Sequence, residues 1–170
     1  MEIRPFAEAD WPLVWPIVRD VVRAADTFVY DPAMSEAEAR AIWILPPPGR
    51  TVVAVEGARI LGTAKMGRNK EGPGSHVATA SFMVATEARG RGVATALCRH
   101  ALGWAKERGF AGMQFNSVAE SNRTAIELYQ RLGFPSSARS PAPSPTRRRA
   151  ASRCTSCTAR FEALVLRRSR

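Results

Sequence analysis

The sequence predicts one α/β (α+β) domain over residues 1–134, and three observations predict it. Short apolar runs alternate with amphipathic helical stretches in the order β-α-α-β-β-β-α-β-α. The helical stretches open or close on cap and stop residues. One strand, 81–84, runs through an Arg/Gly-rich elbow straight into the helix that starts at Val93.

Each element has its own reason. Residues 2–6 read as a first strand. Residues 8–25 place Leu13, Val14, Ile17, Val18, Val21 and Val22 every three to four positions, an amphipathic helix that Pro12 and Pro16 start or kink. A loop with aromatics, 26–31, follows. Ser35 and Glu38 form a capping box for a second helix to about Ile44, and Pro46-Pro-Pro-Gly49 stops it. Residues 51–55 and 59–66 flank Glu56-Gly-Ala58 as a hairpin, and 67–76 turn into the strand 77–84. The helix 93–108 ends at Gly109, a residue suited to the left-handed stop. Residues 111–118 read as a strand, and 122–132 as a helix with Ala125, Leu128, Tyr129 and Leu132 on one face.

The 170 residues, 45% apolar, suffice for one domain with a real core. No apolar run nears the roughly 20 residues a membrane span needs, and the N-terminus lacks a secretion signal, so a cytoplasmic location is expected. The net charge of +10 suggests nucleic acid until it is divided along the chain. Residues 135–170 hold nine Arg and one Glu, whereas residues 1–134 are only +2. The basic excess belongs to the tail, and nucleic acid is not the expected partner. His76 and His100 stand alone, so no metal site is expected, and solvated or capping roles suit them. Cys98 falls mid-helix and reads as packing.

The chemistry concentrates in Arg89-Gly90-Arg91-Gly92-Val93-Ala94. Glycines at a strand-to-helix junction let the backbone turn tightly and approach a ligand. The first N–H groups of a helix lack intrahelical partners and carry the positive end of its dipole. With two arginines beside them, they suit a pyrophosphate.

Arg89-x-x-Gly92-x-Ala94 resembles the (Q/R)-x-x-G-x-(G/A) signature of the GNAT-superfamily N-acetyltransferases. Asn122-x-x-Ala125-x-x-x-Tyr129-x-x-x-Gly133-Phe134 resembles their second signature. The resemblance implies a mixed twisted sheet flanked by helices, and acetyl-CoA as co-substrate. It implies that Arg89, Gly90, Arg91, Gly92, Val93 and Ala94 hold the pyrophosphate and that Asn122 contacts the cofactor arm. Backbone N–H at Met83 and Val84 polarises the acetyl carbonyl, and Tyr129 protonates the departing thiolate. Phe115-Asn116-x-Val118 resembles a branch acting on free amino acids and proline-like amines, in which Asn116 contacts a small-molecule amine substrate. Tyr129 stands where many members of that branch carry Trp. Thr27, Phe28 and Tyr30 are pocket-wall expectations by the same analogy. The base stays open among Asp31, Glu87, Glu120 and ordered water. Many relatives pair, so a homodimer is an option. The alternative is an inactive acyl-CoA-binding or nucleic-acid-associating protein.

Past Phe134 the composition turns abruptly to Ser, Pro, Ala and Arg, which reads as a disordered tail over 135–170 with the last two strands missing or altered. A GC-rich gene read out of frame yields the same residues. Read from the third base of each codon, Ser136-Ser137 becomes an apolar pair and 154–158 becomes strand-like. A frameshift near codon 134–135, a solvated basic tail, and a half zinc site at Cys154 and Cys157 are the readings open. Phe161 to Leu166 could substitute as one short strand.

Overall fold

The structure, a computed structural model, describes residues 1–119, 121–139 and 158–165, with the backbone alone for 117, 136–139 and 158–165. The strands are β1 Glu2–Pro5, β2 Arg50–Glu56, β3 Arg59–Arg68, β4 Val77–Val84, β5 Gly112–Ala119, β6 Ser136–Arg139 and β7 Thr158–Val165. The α-helices are α1 Trp11–Arg23, α2 Glu36–Trp43, α3 Val93–Glu107 and α4 Arg123–Arg131. Each predicted element up to residue 134 forms within three residues of its expected bounds. The elbow after β4 adds a 3-10 turn, Thr86–Ala88, that the sequence does not announce.

One sheet carries all seven strands in the order β1-β2-β3-β4-β5-β7-β6, mixed because β4 and β5 run parallel. Side chains alternate across it, so β3 sorts the two helical layers. A Cβ on Gly62 would lie 3.1 Å from Val93 Cγ1 and 3.4 Å from Leu97 Cδ1, which puts α3 on that face. Thr63, on the other face, accepts a 3.1 Å hydrogen bond from Trp43 Nε1 of α2. Phe82 pairs across from Ala64, hence on the α3 face, and meets Phe115, which stacks on Tyr129 of α4. Thus α1 and α2 cover one face, α3 and α4 the other.

Two local devices fix the α1–α2 layer. Arg4 grips both carboxylate oxygens of buried Asp10 at 2.7 Å, and Ala7 N–H bonds the same group, tying β1 to the start of α1. The Arg4 hydrogen bond holds the Asp10 carboxyl below the usual range. Ser35 and Glu38 close the predicted capping box on α2.

Gly62 is where the α3 layer sits closest to the sheet. A Cβ there would also meet Met83 O at 2.8 Å, inside any normal contact, with backbone on the other side and little to yield. Gly62→Ala should destabilise the protein by about 1–3 kcal/mol, the range of core overpacking. Urea unfolding of the variant against wild type measures it.

The tail needs a correction. Two pieces expected to lack structure, 136–139 and 158–165, form β6 and β7, the second overlapping the substitute strand anticipated at 161–166. β7 pairs antiparallel with β5 from Gly112–Val165 to Ala119–Thr158, with two register shifts. An unpaired β5 would expose a row of backbone donors and acceptors, so the edge takes the strand the chain offers. The half zinc site at Cys154 and Cys157, and the rest of the tail, lie outside the described residues.

Candidate active site

The site begins where the sheet opens. β4 and β5 are in register only at Val77–Gly112 and Ala78–Met113, and beyond that no ladder joins them. Ala85 N–H bonds Leu61 O at 2.9 Å. Antiparallel ladders alternate bonded and unbonded residues, so Met83 bonds towards β3 and Val84 turns its N–H towards the parted side. Of the two strand residues expected to polarise a carbonyl, Val84 is the one whose N–H is directed away from β3. Met83 contributes a buried side chain to the core.

At the end of β4 lies the predicted cradle. Gly90 and Gly92 have φ of 76° and 78°, left-handed values that favour glycine, and Gly92 is the N-cap of α3. Among the described residues, no acceptor meets the N–H groups of Gly90 or of 92–95; the first α3 bond is Ala96 N–H to Gly92 O. Val93 is buried and Ala94 half-buried, so Val93 anchors the cradle and the open side is backbone. The two arginines divide. Arg91 donates to both oxygens of Glu56 at 3.0 and 2.9 Å, across to the β2–β3 hairpin. Arg89 is exposed and has no partner among the described residues, which leaves it as the cation free for a phosphate.

Across the opening stands α4. Asn122 is its N-cap and accepts from Ala125 N–H at 3.1 Å, so its amide oxygen is committed to the helix while its NH₂ is not. Tyr129, two turns on, is 8% exposed; its ring lies 4.1 Å from that of Phe115. Burial pushes its phenol well above the ordinary range, with the neighbouring Cys98 adding to the rise. Burial also pushes the Cys98 thiol up to about 12, which makes it packing and no nucleophile.

The opposite face carries the expected pocket wall. Thr27, Phe28 and Tyr30 are half-buried on the loop after α1, which Ser121 Oγ bonds through Asp26 O at 3.3 Å. Phe28 stacks on Tyr30, with ring centres 5.5 Å apart. Asn116 is exposed on β5 and donates through Nδ2 to Asn69 Oδ1; Asn69 in turn donates to Gln114 Oε1 at 3.1 Å. None of the described base candidates stands free: Asp31 Oδ1 accepts from Ala33 N–H at 2.8 Å, and Glu87 lies 3.8 Å from Arg59. Glu120 lies outside the described residues. His76 is exposed against Pro73 O, whereas His100 is half-buried, with Nε2 unpartnered among the described residues and its pKa lowered by burial. Its solvated role is thereby corrected, because it sits on the packed side of α3. No cluster of His, Cys, Asp and Glu among the described residues could hold a metal ion, and no helix there is long and apolar enough to cross a membrane.

Sequence reasoning missed Lys65. It lies on β3 beneath Tyr30, and its signal was the one charge among residues 60–67.

An anion cradle at a helix N-terminus, opening onto a parted parallel strand pair, is the architecture of a domain that can lay an extended pyrophosphate-bearing ligand across its sheet. The model of the Acetyltransferase (GNAT) family matches residues 15–134, and the chain belongs to that family of acetyl-CoA-dependent N-acetyltransferases. A GCN5-related N-acetyltransferase from Kribbella flavida is similar at 41% identity over 94% of each chain, with a TM-score of 0.82. A phosphinothricin acetyltransferase from Sinorhizobium meliloti, solved with acetyl-CoA, is similar at 22% identity over 96% of this chain and 88% of that one, TM-score 0.82. The putative acetyltransferase yncA from Salmonella typhimurium, solved with acetyl-CoA, is similar at 21% over 100% and 96%, TM-score 0.78. The last two likenesses speak to the fold alone. No curated protein matches the chain.

Proposed function

We propose that the protein acetylates the amine of a small molecule, an amino acid or analogue, by direct attack on acetyl-CoA in a ternary complex. The observation that carries this is the cradle of N–H groups at 92–95, without acceptors among the described residues, at the end of the strand that parts from β5. Arg89 and the cradle bind the pyrophosphate, and the Asn122 NH₂ meets the pantetheine arm. Val84 N–H stabilises the oxyanion as the neutral amine adds to the thioester carbon. The C–S bond then breaks, the amine gives its proton to water, and Tyr129 O–H protonates the departing sulfur and takes a proton back from that water. Asn116 Oδ1 accepts from the incoming amine. An acyl-enzyme plays no part, since Cys98 is buried and neutral.

The test is turnover of acetyl-CoA with panels of free amino acids, simple amines and peptides, read as thiol release and as product mass. Acetylation of free amino acids or their analogues is the expected result. Release only with peptides, or only without any amine, overturns the proposal.

We also read residues 1–134 as the acetyltransferase unit and 135–170 as the product of a shifted reading frame. The abrupt change of composition one residue after Phe134 supports this. Resequencing the coding DNA should show an alternative frame near codon 135 that encodes two apolar strands without a stop. Stop codons in that frame reject it.

A further inference from the structure

Lys65 is the one charge between the arginines at the two ends of β3, and the sheet sets it beside a polar group. It pairs with Ser81 of β4. Past the last β4–β5 pairing, Ala78–Met113, the strands part, with Ser81 on one side of the opening and Asn116 on the other. Lys65 and Ser81 are thus cross-strand partners, and Asn116 stands on the next strand across the opening. Lys65 shares with Thr63 the face that α2 covers, as Ser81 does by pairing. By alternation on β5, Asn116 points opposite to Phe115, which faces α4, and so shares that face too.

The surroundings of Lys65 hold its ammonium in place without neutralising it. Nζ donates to Tyr30 Oη at 3.1 Å and to Ile42 O at 2.7 Å, in the last turn of α2. It also lies 5.6 Å from the Tyr30 ring centre and 5.4 Å from that of Trp43. An ammonium has three donors, and two are used. Among the described residues no carboxylate pairs with it, and the Ser81 hydroxyl makes no hydrogen bond. A half-buried cation with an unused donor and no counter-ion favours an anionic ligand.

We propose that Lys65 is the residue that selects a carboxylate on the acceptor, holding the carboxylate of an amino acid while Asn116 receives its amine. This rests on the acetyltransferase reading above and gives its substrate class a physical cause. Strand spacings of about 5 Å place the Lys65 and Asn116 backbones roughly 10 Å apart, and further where β4 and β5 part. The Ser81 hydroxyl is the second donor to the carboxylate. Phe28 and Tyr30 form the apolar wall for the side chain.

The test compares amino acids with their decarboxylated amines: L-leucine with 3-methylbutylamine, L-phenylalanine with phenethylamine, and L-proline with pyrrolidine. The full-length wild type should prefer the carboxylate member in kcat/KM. Lys65→Met should lower that preference by about 10–100-fold, the worth of a charge-assisted hydrogen bond, chiefly through KM of the amino acid. Lys65→Arg, which keeps the charge, should restore part of it. A merely structural Lys65 would lower both members of each pair alike and leave the ratio unmoved, which overturns the proposal. If Lys65→Met fails to fold, the wild-type preference and the Arg variant still decide it. Wild type that acetylates amines without regard to the carboxylate overturns the Lys65 assignment and leaves the transferase standing. Wild type that consumes acetyl-CoA with no amine overturns both.

Discussion

Gly92→Glu should reduce acetyl-CoA affinity on the order of 100-fold or more, measured by calorimetric titration of the folded protein. Two effects add. Gly92 has φ of 78°, and an L-residue there costs roughly 1–2 kcal/mol of backbone strain. The larger effect is charge, since a carboxylate at the N-cap of α3 neutralises the anion site and repels the phosphates, a penalty of several kcal/mol for close like charges. Among the described residues nothing lies within 4 Å of a Cβ at this position, so the side chain has room. Gly92→Ala carries the strain without the charge; because that strain is shared by free and bound protein it falls mainly on folding, and affinity should stay within about tenfold of wild type. If Gly92→Glu binds acetyl-CoA as tightly as wild type, the pyrophosphate lies elsewhere.

Tyr129→Phe should lower kcat by about 100-fold or more while leaving KM for acetyl-CoA within about threefold, the signature of lost general-acid chemistry. The ring that stacks at 4.1 Å on Phe115 is retained, so packing is conserved. Burial raises the Tyr129 pKa, and a raised pKa means the proton stays on as pH climbs through the neutral range. The donor is therefore charged with its proton at every working pH, and the alkaline limb of the kcat profile belongs to another group. The same low-polarity surroundings would hold a thiolate poorly, which makes its protonation worth catalysing. Unchanged kcat in the variant, read in stopped-time assays of thiol release, would return Tyr129 to the role of core packing.

Much of the molecule could be read from its residues because the signals are local. The Ser35–Glu38 box, the Gly109 stop and the helical spacing after Val93 each act within one or two turns. The cradle is local too. Its glycines adopt left-handed backbone and its N–H groups are left over by the start of a helix, facts of six consecutive residues. The fate of the two arginines was not local. Arg89 and Arg91 look alike in the chain, yet Arg91 meets Glu56, 35 positions away, once the β2–β3 hairpin folds back.

The strand pieces of the tail were hidden for a related reason. Segments 136–139 and 158–165 carry weak patterns, and what turns them into strands is the open edge of β5, a property of the sheet. Lys65 likewise showed only as an oddity within an apolar run. Its meaning comes from Tyr30, Ile42 and Trp43, which approach it from 22 to 35 positions earlier.

By itself, then, the chain's sequence determined the order of elements to residue 134, the family to which it belongs and the backbone cradle, because caps, periodicity and glycine freedom act between near neighbours. Tertiary structure alone decided which arginine stays free among the described residues, where β4 and β5 part, and which groups surround Lys65. Those depend on register and on ion pairs between distant segments, where each contact exists only after the sheet has closed and water has been driven from between its layers.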